Sequence, residues 1–134
     1  MVLLKIVKAF IPPLIVFAIH VPFYFLGVYN KIEMADIPMH FVGGAAVGFS
    51  FSLMLKIAEA RKFLREIHNA LSFLFVLSLV ALTAVIWEFA EYIVSMMTGL
   101  ILQNGFDDTM ADLLFGLIGA PFGYLIAQNG LNKQ

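Results

Sequence analysis

Side chains able to hold a metal ion or move a proton recur in three short blocks. They are Asp36 and His40 in "DIPMH", Glu88 and Glu91 in "WEFAE", and Asp108 and Asp112 in "DDTMAD". Residues three or four apart on an α-helix differ by only about 40–60° in azimuth, so each pair shares a stripe. Asp107 is turned about 100° from Asp108 and fits that stripe less well. Five carboxylates and one imidazole make a hard, oxygen-rich donor set. Such a set suits Mg, Mn, Fe or Zn as divalent ions, for one ion or for two that share a ligand.

These blocks sit inside apolar runs, which determine what carries them. The chain has 134 residues, 62% hydrophobic and 13% charged, with a net charge of −1. So few polar side chains cannot cover the surface of a soluble domain, whereas lipid solvates an apolar exterior. Spanning a bilayer takes about 20 apolar residues as helix. Four stretches meet that length: 10–29, 36–57, 70–98 and 108–127. None alternates as a barrel strand would. The expected fold is therefore all-α, a polytopic membrane protein with one four-transmembrane-helix bundle over residues 1–134. Prolines 12, 13, 22 and 121 are expected as kinks inside these helices. No cysteine is present, which excludes disulfides and thiolate metal sites. No basic stripe points to nucleic acid. Met1 to Lys8 and the following apolar run imitate a signal peptide, but without a small-residue cleavage site the run reads as a retained helix.

Lys and Arg set the orientation. Lys5, Lys8, Lys56, Arg61, Lys62, Arg65 and Lys133 lie on one side and only Lys31 on the other. Both termini and the "KIAEARKFLREIHN" segment are thus expected in the cytoplasm of a multi-pass cell-membrane protein. That segment is expected as an amphipathic or extended helical connector whose charges meet water and anionic headgroups. Glu33, Asp36, Glu88, Glu91, Asp107, Asp108 and Asp112 then fall on the outer side. From the helical rise, His40 lies about 6 Å below Asp36, and Glu91 and Glu88 roughly 10 and 15 Å below Thr98. Each acidic stripe continues inward through small residues: Gly44, Gly48 and Ser52; Ala84 and Ala81; Gly116, Gly119, Ala120 and Gly123. Small residues at this spacing let membrane helices approach closely. The acids should therefore point into the bundle.

A buried Asp costs about 2.5–3.5 kcal/mol at a helix centre, and neighbouring acids repel one another. Lys31 and His40 cannot neutralise the cluster, so protons or a bound metal must. The leading expectation is a divalent metal held by His40, Glu88, Asp108 and Asp112. Glu91 or Asp36 would be the catalytic base, or an orienter of the ligands. That arrangement suits a metal-dependent hydrolase or transferase acting on a lipid or lipid-linked substrate. Two alternatives stay open: a proton or divalent-cation transporter or channel, and a non-catalytic protein with a structural polar layer. Membrane lipids are the expected surroundings, and a homo-oligomer could close a site left open by four short helices. His20 reads as hydrogen-bonded packing, and Trp87, Tyr92 and Tyr124 as ordinary helix residues. Tyr92 could donate to a site anion only if it faces inward. Gln103 and Asn104 lie in the outer loop, and His68 in a solvated one. "GGAAVG" lacks the strand and Lys-Ser/Thr of a phosphate loop.

The blocks "DIPMHFVGG", "WEFAEY" and "DDTMADLLFGLIGA" resemble the D-x-x-x-H-F, E-x-x-E and D-T-x-x-D motifs of YjdF-like inner-membrane proteins. That group is similar in turn to the broader VanZ-like set. The resemblance covers about Asp36 to Tyr124, and its last block is the most specific. It implies shared polar positions at Asp36, His40, Glu88, Glu91, Asp108, Thr109 and Asp112. The family has no established biochemical function, so the resemblance implies a site and leaves the reaction open. Typical members are longer and carry additional spans, so the resemblance implies a minimal relative.

Overall fold

Every regular element of the computed structural model, which describes residues 2–32 and 35–131, is helical. In chain order these are α1 (Val2–Phe25), the single turn α2 (Val28–Lys31), α3 (Asp36–Ala60), α4 (Asn69–Thr98) and α5 (Phe106–Leu131). The four long helices are each long and apolar enough to cross a membrane. With a rise of about 1.5 Å per residue, even the 24-residue α1 exceeds the hydrocarbon thickness of about 30 Å. Helices satisfy their own backbone polar groups, which is why an apolar chain can expose so much hydrocarbon surface. Large side chains such as Leu14, Ile86, Phe89, Ile93 and Phe122 lie exposed along the outside.

The helix ends depart from the apolar runs for local reasons. The first helix was expected over 10–29, but α1 begins at Val2 and stops at Phe25. Gly27 sits in the left-handed region at φ +64°, which ends the helix and turns the chain into α2. α1 stays helical through Pro12, Pro13 and Pro22, and α5 through Pro121. The expected helical connector is corrected as well. α3 ends at Ala60, Lys62 adopts φ +59°, and residues 61–68 form turns and irregular chain. The Glu59 carboxylate accepts the Ile67 backbone N–H at 3.1 Å, and His68 Nδ1 accepts from Ala70 N–H at 3.3 Å, capping α4. These two bonds replace a continued helix. Glu33 and Lys133, used above in assigning sides, lie outside the described residues.

Four long helices alternate in direction, with α3 and α5 in the most intimate pairing. A Cβ on Gly44 would overlap the Gly116 carbonyl, one on Gly119 the Phe41 carbonyl, and one on Gly123 the Ala45 carbonyl. Between lipid-solvated helices no hydrophobic force drives association, so close backbone approach supplies the attraction. α1 lies on α3, tied where buried Ser50 donates to the Ala9 carbonyl at 2.6 Å. α4 packs on α5 and α3, and Tyr124 donates to the Asn69 carbonyl at 3.1 Å. Away from the acids, Leu55, Val76, Val80, Ala120 and Tyr124 form the apolar core. α1 reaches α4 through large side chains, with the Phe17 and Trp87 rings 5.8 Å apart, edge to face.

Candidate functional site

The glycine contact between α3 and α5 determines where their polar residues meet. His40 is one turn above Gly44, and Asp112 one turn above Gly116, so the same close approach sets these two side chains opposite each other. His40 Nε2 stands 3.5 Å from Asp112 Oδ1, within ion-pair range but outside hydrogen-bond geometry. α4 adds Glu88. Donor atoms of His40, Glu88 and Asp112 all lie within 4.8 Å of one another, and so do those of Asp36, Asp108 and Asp112. An ion about 2.0–2.6 Å from each donor needs donor separations of this order. Asp112 belongs to both groups. It is 4% exposed, and its Oδ1 is the one buried side-chain oxygen or nitrogen among the described residues without a hydrogen-bond partner.

The remaining acids are held by neighbours. Asp36 and Asp108 occupy the first turns of α3 and α5, where helix dipoles favour negative charge. Asp36 Oδ1 accepts the Ile37 backbone N–H at 2.9 Å, and Asp108 Oδ2 accepts that of Asn104 at 2.9 Å. Gln103 Nε2 donates to the Glu88 carboxylate at 2.9 Å and to the Glu88 carbonyl at 3.0 Å, fixing both side chain and backbone. Read as loop polarity, Gln103 had no assignable role; here it is a strut under a candidate ligand. Asp107 is exposed and belongs to neither group.

Glu91 turns toward α1. Its Oε1 accepts from Tyr24 Oη at 2.5 Å and from Trp87 Nε1 at 2.7 Å, with His20 Nε2 at 3.3 Å. Tyr29 Oη stands 2.8 Å from His20 Nδ1, so both ring nitrogens of this buried histidine are engaged. The expectation of His20 as hydrogen-bonded packing describes its contacts, yet its ring also lies edge-on to His40, centroids 6.0 Å apart. The network thus abuts the donor group that contains His40. Tyr92 is exposed and cannot donate inward; Tyr24 and Tyr29 take that place. Burial, reinforced by Asp36, Glu91 and Asp112, pushes the Tyr29 hydroxyl above its ordinary range, so it stays protonated. The available sequence signals were two pairs spaced i, i+4 on one stripe, His20 with Tyr24 and Trp87 with Glu91. Nothing in the spacing says that the pairs face each other.

The arrangement is an acid-rich cluster with one imidazole and one unsatisfied carboxylate oxygen, flanked by an aromatic hydrogen-bonded wall. Its donor set fits a hard or borderline divalent cation.

Residues 4–132 match the model of a family described as "Predicted membrane protein (DUF2238)". Among curated proteins, an uncharacterized protein of Thermotoga maritima is 33% identical over 96 residues, 71% of this chain and 48% of the relative. The chain thus spans about half the length of that relative. No solved structure matches.

Proposed function

The chain belongs to the DUF2238 family of predicted membrane proteins, and for this member we propose a divalent-metal site serving hydrolysis or group transfer on a lipid or lipid-linked substrate. The observation that carries this reading is Asp112, common to both donor groups, whose buried Oδ1 has no hydrogen-bond partner. A buried polar atom left unpaired costs about 1–3 kcal/mol, and a cation there offsets that cost. His40, Glu88 and Asp112 hold the ion in this reading, and Asp108 either completes its shell or joins Asp36 in holding a second ion through Asp112. A shell of carboxylates with one imidazole accommodates Zn, Mn, Mg or Fe.

When bound, such an ion supplies Lewis acidity toward a phosphoryl or acyl oxygen and lowers the pKa of a water. Asp36 sits at the membrane-surface end of the group and, in the one-ion arrangement where it is not a ligand, would take the proton from the attacking water. Glu91 is given a positioning role and not that of the base, because its Oε1 is taken up by Tyr24, Trp87 and His20. The Lys/Arg asymmetry supports placing the site at the outer leaflet, and the three motifs support kinship with the YjdF-like and VanZ-like proteins. Elemental analysis of purified protein tests the reading. About one or two equivalents of a divalent metal per chain are expected, and none after Asp112→Asn in a protein that still elutes as a folded species. Equal metal content in the two proteins, or none in the wild type after refilling with each candidate ion, ends it.

A further inference from the structure

Below the polar cluster lies a cavity of about 330 Å³ between α1, α3 and α4, touching α5 at Gly116. Its walls are hydrocarbon, among them Pro13, Leu14, Phe17, Val47 and Val80. Its polar lining is His20, His40 and Trp87 at one end, which belong to the site already described, and Thr83, whose hydroxyl donates to the Leu79 carbonyl at 2.8 Å. From Phe10 to His20 on α1 it runs about 15 Å along the helix, back from the site toward the membrane interior. Leu14 and Phe17 are also about half-exposed, so the wall formed by α1 borders the surrounding lipid.

We propose that this cavity receives the hydrocarbon chain of a single-chain amphiphile whose anionic headgroup lies at the His40–Glu88–Asp112 cluster. The inference rests on reading that cluster as the place of the reacting head, and it names the tail as the feature that selects the substrate. Apolar cavities stay dry, and an empty one forfeits dispersion contacts with every lining atom. In a bilayer the nearest filler is a lipid chain. A chain moving in from the bilayer gains little by hydrophobicity, since lipid tails are as apolar as the walls. Discrimination therefore comes from shape and from the head held at the polar end. The volume lies at the lower end of the roughly 300–1,000 Å³ of small-molecule sites, which fits one chain and not two. The polar pattern agrees, with two imidazoles and an indole at one end and along the walls only Thr83, whose hydroxyl already donates to its own helix, as for a molecule with one polar end.

Position Gly43 gives access to the cavity without touching the helix contact. A Cβ there would meet only Val16 Cγ1, at 3.8 Å, whereas at the neighbouring Gly44 it would strike backbone. The probe is a long-chain alkyl phosphate with a diazirine within its chain, photolysed in proteoliposomes and mapped by peptide mass spectrometry. Labelling is expected to concentrate on Leu14, Phe17, Val47 and Thr83. Gly43→Ala keeps it, and Gly43→Leu lowers it at least about tenfold, the low end of what a one-methylene mismatch does in an apolar pocket. Labelling of the outward-facing Ile86 and Ile93 stays unchanged. Val47→Phe, filling the cavity from another position, serves if Gly43→Leu does not fold. Labelling spread evenly over the lipid-facing surface, or unaffected by both filling variants, overturns the proposal. Metal content measured on the same samples separates the two readings. Cavity labelling in metal-free protein leaves the tail site standing and removes the metal, and metal with diffuse labelling does the reverse.

Discussion

Replacing Asp112 by Asn removes a charge and a ligand while hardly changing volume, and its effect on stability has opposite signs with and without metal. Without metal, the wild-type protein carries a buried carboxylate oxygen with no hydrogen-bond partner. Such an atom costs about 1–3 kcal/mol. The uncharged amide relieves part of that cost, so metal-free Asp112→Asn should melt at the wild-type temperature or above it. With metal, binding to the folded state stabilises by RT ln(1 + [L]/Kd), about 2.7 kcal/mol at a hundredfold excess over Kd. Asp112 is the residue common to both donor groups, so its loss breaks either a one-ion or a two-ion arrangement. The wild type should therefore gain several degrees on addition of the cognate ion, and the variant none. Melting in detergent, followed by tryptophan fluorescence from the single Trp87 beside Glu91, reads both arms. The same metal-induced gain in both proteins refutes the assignment of Asp112. A variant clearly less stable than wild type under metal chelation refutes the argument from the orphaned oxygen.

Three further outcomes follow from the geometry. Gly44→Ala drives a Cβ into the Gly116 carbonyl and should cost about 1–3 kcal/mol as α3 parts from α5, while Gly43→Ala should be close to neutral; comparative melting checks the pair. Gln103→Ala frees the Glu88 carboxylate and should weaken metal binding about 10–100-fold with the fold intact, read by metal titration. Tyr29 has a hydroxyl pKa raised by burial above its ordinary value near 10.0, so above about pH 10 the unfolded chain loses that proton first. Stability should fall as pH rises past that point, and Tyr29→Phe should flatten the fall in a pH series of melting curves.

Much of this was legible from residue order alone. Run lengths and composition determine four membrane helices, because a backbone in hydrocarbon must satisfy its own hydrogen bonds. The stripes of glycine and alanine mark which faces pack, and the four glycines in those stripes on α3 and α5 that would strike the opposing backbone, Gly44, Gly48, Gly119 and Gly123, all sit against carbonyls. The acidic stripes of α3, α4 and α5 are brought together, as the continuity of acid and small residues implies. Local signals determine some ends only after the fact: Gly27 terminates α1 before Tyr29, and the α3–α4 connector leaves the helix despite its charge pattern.

The tertiary structure alone decided which neighbour each side chain meets. Glu88 and Glu91 differ by only about 60° around α4, yet one faces Gln103 and the donor groups and the other faces His20, Tyr24 and Trp87. A soluble helix announces its buried face through amphipathicity, but here both the lipid face and the packed face are apolar. The rotation of α4, the seating of α1 across from it and the cavity between them are consequently written in the helix contacts, where no periodicity in the sequence reports them.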